Sequence, residues 1–358
     1  MGSSPVTATI SPPGGLAEAV GALRGCLREH GVADDEPIVV AFSGGPDSLA
    51  LLLAAAHVAR ELGAHPVAAH VDHRLDPGST ARAESARRLA ERLDVPFRLL
   101  VGDAAVKMRG ESREAAARRL RYRLLDQLCH ELGARWVLTA HHAGDQAETV
   151  LLRLAHGSGL AGLAGMAARH GTVLRPFLSL PRERLRAACT SAGLAPLEDP
   201  TNRDIAVPRN RLRHHLLPVL GGAEAAAGAR ALGAAASTLA SRIERRLVTL
   251  IPELAASAAA PRVPLAALRR LPAELLPWAL ALLHRRSDVE YPPRAVAVAE
   301  LRRQLYRCER VNCDCGGGWR WRTDRAGRLR VEQAVPASAY TYTVAVRAGV
   351  EISQAEMR

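Results

Sequence analysis

Aromatic side chains are scarce in this chain: Phe, Tyr and Trp together make up 3% of the 358 residues, although 48% of the residues are hydrophobic. The hydrophobic core must therefore consist mainly of Ala, Leu and Val, a composition typical of a helix-rich globular protein. At roughly 150 residues per domain, the length predicts two or three domains.

Cysteines are also few, and the six of them are scattered along the chain, which does not predict a disulfide framework. No apolar run approaches the roughly 18 residues of a membrane span. The first 15 residues, MGSSPVTATISPPGG, lack the cationic and apolar segments of a secretory leader. We therefore expect a disordered tail, then a soluble, cytoplasmic protein without a membrane partner.

Acidic residues are outnumbered by basic ones, 36 against 48, which gives a net charge of +12, and Lys107 is the only lysine. An excess of arginine predicts a polyanionic partner such as a nucleic acid, because bound phosphates release their counterions. A general compositional bias towards arginine would give the same charge, so charge alone leaves both interpretations open.

Short β-rich runs alternate with helical stretches up to about residue 205. The runs PIVVAF, PVAAHV, PFRLLV and RWVLTA occupy residues 37–42, 66–71, 96–101 and 135–140. This alternation predicts an α/β fold, a parallel sheet with helices on both of its faces. The runs are apolar nearly throughout, as strands covered on both faces are.

The pattern changes twice more towards the C-terminus. The sequence becomes mostly helical and rich in Ala, Leu and Arg, and then WRWRTDRAGRLRVEQ predicts two short strands around a turn near Ala326, with another strand in YTYTVAVRAGVEI. We therefore divide the chain into a tail (1–15), an α/β domain (16–207), a helical domain (208–306) and a small β-rich segment (307–358).

The stretch SGGPDS (43–48) stands between the first predicted strand and its helix. Glycines let backbone amides approach a ligand, and a helix N-terminus offers unpaired N–H groups and a positive dipole end to an anion. The terminal Lys of a Walker A loop is missing, and Asp47 could instead hold Mg²⁺ against phosphates. A plain turn is the alternative. We predict a triphosphate or pyrophosphate site with Mg²⁺ on Asp47, formed by Ser43, Gly44, Gly45, Pro46, Asp47 and Ser48.

A second group of polar residues follows the next predicted strand, in AAHVDHRLDPGST (68–80). His70, Asp72 and His73 lie where the strand ends, at the edge where open α/β sheets bind ligands. These residues are candidate metal ligands, or they cap the end of the strand.

The stretch TAHHAGDQAETVLLRLAHGSGLAGLAGM (139–166) places two histidines and two acids after the fourth predicted strand. Asp145 and Glu148 are three residues apart, so they share a helix face near His141 and His142. Such a group suits the binding of an ammonium group or of Mg²⁺, and acid–base chemistry. The alternative is a helix whose acidic first turn complements the helix dipole.

A dense basic strip lies near the predicted domain junction, in VPRNRLRHHLLPVL (207–220). A guanidinium group binds phosphate through two parallel N–H groups, so Arg209, Arg211 and Arg213 are candidate RNA contacts. A solvated basic face is the alternative.

The stretch YRCERVNCDCGGGWRWR, near the C-terminus, contains three cysteines and two tryptophans. Each group has two possible interpretations. Cys308, Cys313 and Cys315 lack an obvious fourth ligand, which favours ordinary thiols over a zinc site. Trp319 and Trp321 alternate with arginines, so one face of a strand is aromatic. That face favours a small hydrophobic core over base stacking.

The ordered motifs resemble those of one enzyme family. SGGPDS matches the SGGxDS loop of the PP-loop ATP pyrophosphatases, which split ATP between its α- and β-phosphates. Residues 37–220 further resemble the tRNA(Ile)-lysidine synthetases in four places: HVDH (70–73), the helix with Arg118 and Tyr122, the THHxDDQAETVLLRLxRGSG segment and the EDPSN…RN segment.

Three positions depart from the pattern of that family. Asp76 stands where Arg is usual, and Gly144 replaces the first of two acids, which leaves Asp145 as the matching carboxylate. His156 replaces an Arg, which weakens one expected contact with phosphate or RNA. The implied fold is unaffected.

The resemblance implies a two-step ligation that uses ATP and Mg²⁺. ATP adenylates the C2 oxygen of the wobble cytidine in a tRNA(Ile) with a CAU anticodon, and the ε-amine of free L-lysine then attacks C2 and expels AMP. Asp47, Arg118, Asp145 and Glu148 are the implied catalytic residues, and His141 and His142 line the same substrate edge. A homodimer stays open. So do three alternatives: a tRNA thiolase, an amidating synthetase and a non-catalytic RNA-binding relative.

Overall fold

A computed structural model describes residues 15–32, 35–74, 78–102, 113–197, 204–255, 261–287, 289 and 293–334. Most of the predicted N-terminal tail, Asp76 and the strand predicted in YTYTVAVRAGVEI lie outside these residues. Within them, no helix has both the length and the apolar character needed to cross a bilayer.

One sheet organises the first half of the described chain. Its strands are β1 (Pro37–Ala41), β2 (His65–Asp72), β3 (Phe97–Val101), β4 (Trp136–Leu138), β5 (Arg169–His170) and β6 (Val173–Leu174). They lie in the order β3-β2-β1-β4-β6-β5, and neighbouring strands are parallel except for β5 and β6. The four predicted strands are confirmed, and a short hairpin extends the sheet beyond β4.

Helices cover both faces of this sheet. The helices of this half of the chain are α1 (Ala17–Glu29), α2 (Pro46–Leu62), α3 (Ser79–Glu91), α4 (Arg113–Leu132), α5 (Ala143–Ala155), α6 (Leu160–Leu163) and α7 (Arg182–Ser191). Ile38 and Val40 of β1 pack in a core with α1, α2 and α7, whereas Val39 between them packs with α4 on the opposite face. This alternation is the period of two that a strand imposes, and the predicted α/β architecture is confirmed.

The edge strand β3 is an exception to the predicted burial of the strands. Its residues Leu99 and Val101 are exposed, so the expectation that the strands are covered on both faces does not hold there.

The order of the strands defines a crevice. From β1 the chain moves outward to β2 and β3, and then returns to β4 on the other side of β1. Open α/β sheets bind their ligands at such a switch point, beyond the carboxyl ends of the strands. SGGPDS follows β1 and the TAHHAGD segment follows β4, so the two motifs flank this β1–β4 crevice.

The second half of the described chain packs helices against a small sheet. Its helices are α8 (Pro208–Arg211), α9 (Leu217–Val219), α10 (Ala223–Leu250), α11 (Leu265–Arg270), α12 (Leu276–Arg286) and α13 (Ala295–Arg307), with a π-helical turn at Leu212–Leu216 and a 3₁₀ turn at Pro252–Ala255. Its strands are β7 (Val263–Pro264), β8 (Asn312–Gly316), β9 (Trp319–Thr323) and β10 (Arg328–Gln333), in the order β7-β10-β9-β8.

The two strands predicted around Ala326 are confirmed as β9 and β10, which pair antiparallel. Trp321 of β9 is fully buried with Leu280 of α12 and Leu301 of α13, as the core interpretation of that strand predicted. Helices and strands therefore share one hydrophobic core on both sides of the predicted boundary at residue 307. The division into domains stays a prediction.

Candidate nucleotide-binding site

Two hydroxyl groups hold the SGGPDS loop against the start of α2. The Ser48 hydroxyl donates to the Gly45 carbonyl at 3.0 Å and accepts from the Ser43 N–H at 3.2 Å. The hydroxyls of Ser43 and Ser48 themselves lie 3.0 Å apart. Because Ser48 is buried in the first turn of α2, this network fixes the loop at the helix N-terminus, where an anion is stabilised.

Gly44 is required in this loop on two grounds. Its φ of +83° lies in the left-handed region, which favours glycine. A Cβ on Gly44 would also lie 2.4 Å from Cδ1 of Leu197, whose N–H donates to the Gly44 carbonyl at 2.9 Å. The segment after α7 therefore packs tightly against the loop.

Residues of α7, far along the chain, pack against the SGGPDS loop. The Cys189 thiol of α7 donates to the Pro46 carbonyl at 3.3 Å. Burial, together with the charge of Asp47, raises the pKa of this thiol to about 11. Arg182, the first residue of α7, places its Nε 3.6 Å from Oδ1 of Asp47. No local sequence pattern indicated Cys189 or Arg182, because they reach the loop only through the packing of α7 on α2.

Asp47 presents a buried carboxylate oxygen that accepts no hydrogen bond, Oδ1. The Nε of Arg182 lies 3.6 Å from Oδ1, and the Nε2 of His142 lies 3.7 Å from Oδ2, both beyond good hydrogen-bonding distance. An oxygen without a donor fits Mg²⁺, which proteins commonly hold through one or two carboxylates together with substrate phosphates and waters.

His142 and Asp145 cap α5 reciprocally. The Asp145 Oδ2 accepts from the His142 N–H at 3.0 Å, and the His142 Nδ1 accepts from the Gly144 N–H at 2.9 Å. Because Nδ1 accepts, the neutral imidazole carries its proton on Nε2. That nitrogen lies 3.6 Å from Oδ2 of Asp145 and 3.7 Å from Oδ2 of Asp47. One buried imidazole thus separates the two carboxylates that flank the crevice.

Glu148 pairs with Arg213 inside the crevice. Arg213 donates from Nε to Oε1 of Glu148 at 2.6 Å and from Nη2 to Oε2 at 3.0 Å, and Glu148 is only 2% exposed. Burial lowers the pKa of Arg213, but the hydrogen bond and charge of Glu148, with the charge of Asp145, outweigh burial and raise this pKa. The second half of the chain therefore contributes a cation to the crevice.

The charges of four arginines act on His141, which follows β4. Burial lowers the pKa of His141 well below its usual value, and the charges of Arg175, Arg118, Arg209 and Arg121 lower it further. His141 therefore stays neutral at physiological pH, with its Nδ1 2.9 Å from the Thr139 hydroxyl. This cluster of fixed positive charge suits a polyphosphate or an RNA phosphate. Arg175, which follows β6, was not singled out from the sequence.

The three arginines of the predicted basic strip have different hydrogen-bond partners. Arg213 turns inwards onto Glu148, whereas the Nη2 of Arg209 donates to the Thr149 hydroxyl at 3.2 Å. Arg211 is exposed and donates to the Ile205 carbonyl at 3.2 Å. Of the three, Arg211 alone keeps the outward position expected for a contact with RNA backbone.

The polar residues at the end of β2 have structural partners. The His70 Nδ1–H donates to the Phe42 carbonyl at 2.9 Å, and the Asp72 Oδ1 accepts from the Arg74 N–H at 2.8 Å. Burial lowers the pKa of His70, and burial with the charge of Arg121 lowers that of His73 to about 4. These contacts agree with the capping interpretation.

The remaining singled-out residues lie away from the crevice. Cys313 and Cys315 are buried in the second core, where burial raises their thiol pKa to about 11 and 12, and Cys308 is exposed. Within the described residues, no three His, Cys, Asp or Glu side chains are grouped to hold a metal ion. The exposed His156 donates from Nδ1 to the Leu152 carbonyl of its own helix at 2.6 Å.

A glycine-rich loop and a carboxylate whose Oδ1 accepts no hydrogen bond, at the switch point of a mainly parallel sheet, define a nucleotide-binding α/β protein. The chain matches the PP-loop domain, an ATP-binding domain, over residues 22–220, and it belongs to this family.

Curated relatives share this part of the chain. The tRNA(Ile)-lysidine synthase of Salinispora tropica is 45% identical over 212 residues, which are 57% of this chain and 63% of the relative. That of Thermus thermophilus is 46% identical over 192 residues, 53% of this chain and 36% of the relative. The chain thus spans less than two thirds of the length of either relative.

A solved structure shares the fold. The U34-tRNA thiolase NcsA from Methanococcus maripaludis superposes with a TM-score of 0.50 at 14% identity, over 61% of this chain and 77% of that chain.

Proposed function

We propose that the protein is a tRNA(Ile)-lysidine synthetase, which joins lysine to C2 of the wobble cytidine in a CAU anticodon through an adenylated intermediate. The observation that carries this proposal is the meeting of the SGGPDS loop with the His142–Asp145 segment across the β1–β4 crevice. Relatives named tRNA(Ile)-lysidine synthase, 45–46% identical across this region, support it.

In the first step, the loop binds the triphosphate of ATP. The SGGPDS amides and the N-terminus of α2 stabilise the phosphate charge. Asp47 would hold Mg²⁺, which would supply further positive charge to the triphosphate. The C2 oxygen of the cytidine attacks the α-phosphorus, and pyrophosphate leaves with the electron pair of the broken P–O bond. Arg118, in the cluster around His141, contacts the phosphate or the cytidine.

In the second step, the ε-amine of lysine attacks C2, and AMP leaves with the electron pair of the C–O bond. The attacking amine must lose a proton, and its ammonium form needs an anionic partner until then. We assign this role to Asp145, because Glu148 is already bonded twice to Arg213. Glu148 acts through Arg213, by keeping that cation 3.6 Å from Oδ1 of Asp145.

Several parts of the proposal go beyond the reaction itself. They are Mg²⁺ as the metal, free L-lysine as the amine donor, Arg209 and Arg211 as tRNA contacts, a cytoplasmic location and a homodimeric assembly.

A tRNA thiolase is the rival within the same fold. A thiolase that works through a persulfide needs a nucleophilic cysteine at the nucleotide, and nucleophilic thiols have lowered pKa values. Cys189 lies beside the loop, but its pKa is raised to about 11 and its proton is donated to Pro46. This thiol is therefore a packing residue in the structure, which favours ligation of an amine.

Transfer of labelled lysine tests the proposal. The protein is incubated with ATP, Mg²⁺, ¹⁴C-lysine and a tRNA(Ile) transcript with a CAU anticodon, next to a matched transcript in which guanosine replaces the wobble cytidine. We expect ATP-dependent label in the CAU transcript alone. Equal label in both transcripts, or none in either while AMP forms without RNA, would contradict the proposal.

A further inference from the structure

Gly144, one of the departures from the family pattern, determines where His142 lies. A Cβ on Gly144 would lie 2.7 Å from Cε1 of His142 and 3.0 Å from its Nδ1. These distances are shorter than van der Waals contact, and the imidazole, 3% exposed, is enclosed on all sides. A side chain at position 144 therefore excludes the observed position of the ring.

The ring position admitted by Gly144 gives His142 two contacts at once. On one side, Nδ1 accepts from the Gly144 N–H and caps α5. On the other side, Nε2 lies 3.6 Å from Oδ2 of Asp145 and 3.7 Å from Oδ2 of Asp47. Because Asp47 lies in the first turn of α2 and Asp145 in the first turn of α5, the imidazole lies between the two helix N-termini that flank the crevice.

The two oxygens of Asp47 are consequently unequal. Oδ2 faces the N–H dipole of His142, whereas Oδ1 is buried without a hydrogen-bond donor. A donor placed between two carboxylates also reduces their mutual repulsion, which is strong where water is excluded. Both effects orient Asp47, whose Oδ1 accepts no hydrogen bond and lies 3.6 Å from the Nε of Arg182.

We propose that His142 is a positioning residue for Asp47, and that the missing side chain at Gly144 makes this arrangement possible. The imidazole orients Asp47 so that Oδ1 is presented to the metal–triphosphate. The inference rests on the proposed function only in assigning metal–ATP binding to Asp47.

The variant His142→Asn separates this role from helix capping. The Asn Oδ1 branches from Cγ as the imidazole Nδ1 does, and Asn is a preferred N-cap residue, so the cap and the stability of α5 are retained. The imidazole Nε2 between Asp47 and Asp145 is lost in this variant. We expect the affinity for Mn²⁺ with α,β-methylene-ATP, measured by isothermal titration calorimetry, to fall about tenfold, with the melting temperature unchanged.

The variant Gly144→Ala should remove the same imidazole contact, because its Cβ would overlap with the ring. We expect it to displace the His142 ring, so that the ring ¹⁵N signals, measured by NMR, differ from those of the wild type. Its nucleotide affinity falls as in His142→Asn, and the double variant binds no more weakly than His142→Asn alone, because both act on one contact. Gly25→Ala, where a Cβ meets nothing within 4 Å, is the matched control.

The outcomes separate this inference from the function proposed above. Binding by His142→Asn as tight as the wild type, or unaltered His142 signals in Gly144→Ala, would overturn the inference alone. These measurements need neither lysine nor tRNA. Failure of the wild type to bind the metal–nucleotide would overturn both proposals.

Discussion

Individual residues in the SGGPDS loop are fixed by distant partners. A glycine at position 44 permits the left-handed conformation that the structure shows. Its contact with Leu197 could not be predicted, because the two residues are far apart in sequence. The same holds for Asp47, whose neighbours His142 and Arg182 come from two other segments. The sequence predicted which residues form the loop, and the structure adds what constrains them.

Gly44→Ala tests the contact with Leu197. We expect a loss of unfolding free energy of about 2–3 kcal/mol, from the positive φ and the 2.4 Å approach together. Gly133→Ala is the control, because Gly133 also has a positive φ, +66°, but its Cβ would meet nothing within 4 Å. Urea denaturation measures both variants. Equal losses of unfolding free energy in the two variants would show that the close approach to Leu197 does not destabilise Gly44→Ala.

His73 predicts a dependence of stability on pH. Its pKa is lowered from 6.5 to about 4 in the folded state, mainly by burial and by Arg121. Between those two values the unfolded chain binds more protons, so this histidine destabilises the fold as pH falls from 6.5 towards 4 and has no effect above 6.5.

Urea denaturation across pH 4–7 checks this dependence. His73→Asn should lose less stability on acidification than the wild type, whereas His130→Asn, at a side chain 83% exposed, should follow the wild type. An unchanged slope in His73→Asn would contradict the account.

At the scale of elements, α5 connects the two halves of the described chain. Its N-terminus is capped by His142, its buried face carries Glu148, and its Arg153 donates to the Gly162 and Gly165 carbonyls at 2.8 and 2.6 Å. It also packs along α10, where Gly233 lies against Val150. Helix α10 therefore packs against the element that carries Asp145 and Glu148.

The crossing of α5 and α10 depends on a missing side chain. A Cβ on Gly233 would lie 2.8 Å from Cγ2 of Val150, and a β-branched side chain cannot swing away. We expect Gly233→Ala to lower the melting temperature, although Gly→Ala in an open helix position stabilises by about 0.5–1 kcal/mol. Gly228→Ala on the same helix, where nothing lies within 4 Å, should raise it. A rise in both would refute the close packing.

Local patterns predicted elements better than they predicted contacts. The strands of the main sheet and the β9–β10 hairpin follow from apolar runs and turn residues, which act over a few positions. The inward turn of Arg213 onto Glu148 could not be predicted, because 65 residues and the start of the second half separate them. The exposure of β3 likewise depends on its place at the sheet edge, which the sequence of the strand does not encode.

At the scale of the whole molecule, acids and arginines meet in one crevice. His142 lies between Asp47 and Asp145, and Arg213 lies between Asp145 and Glu148. The arginines around His141 add positive charge. Such a mixture of charges suits the proposed reaction, which brings a triphosphate, a nucleotide and an ammonium group together. The net charge of +12 favours a polyanionic partner.

The central claim is that Asp47 in the β1–β4 crevice activates ATP for transfer of its adenylyl group to tRNA. Exchange of labelled pyrophosphate into ATP, measured with and without the CAU transcript in the wild type and in Asp47→Asn, tests it most directly. We predict exchange that requires the transcript and falls about 100-fold or more in Asp47→Asn, with an unchanged melting temperature. Exchange without the transcript, or full exchange in a folded Asp47→Asn, would contradict the account.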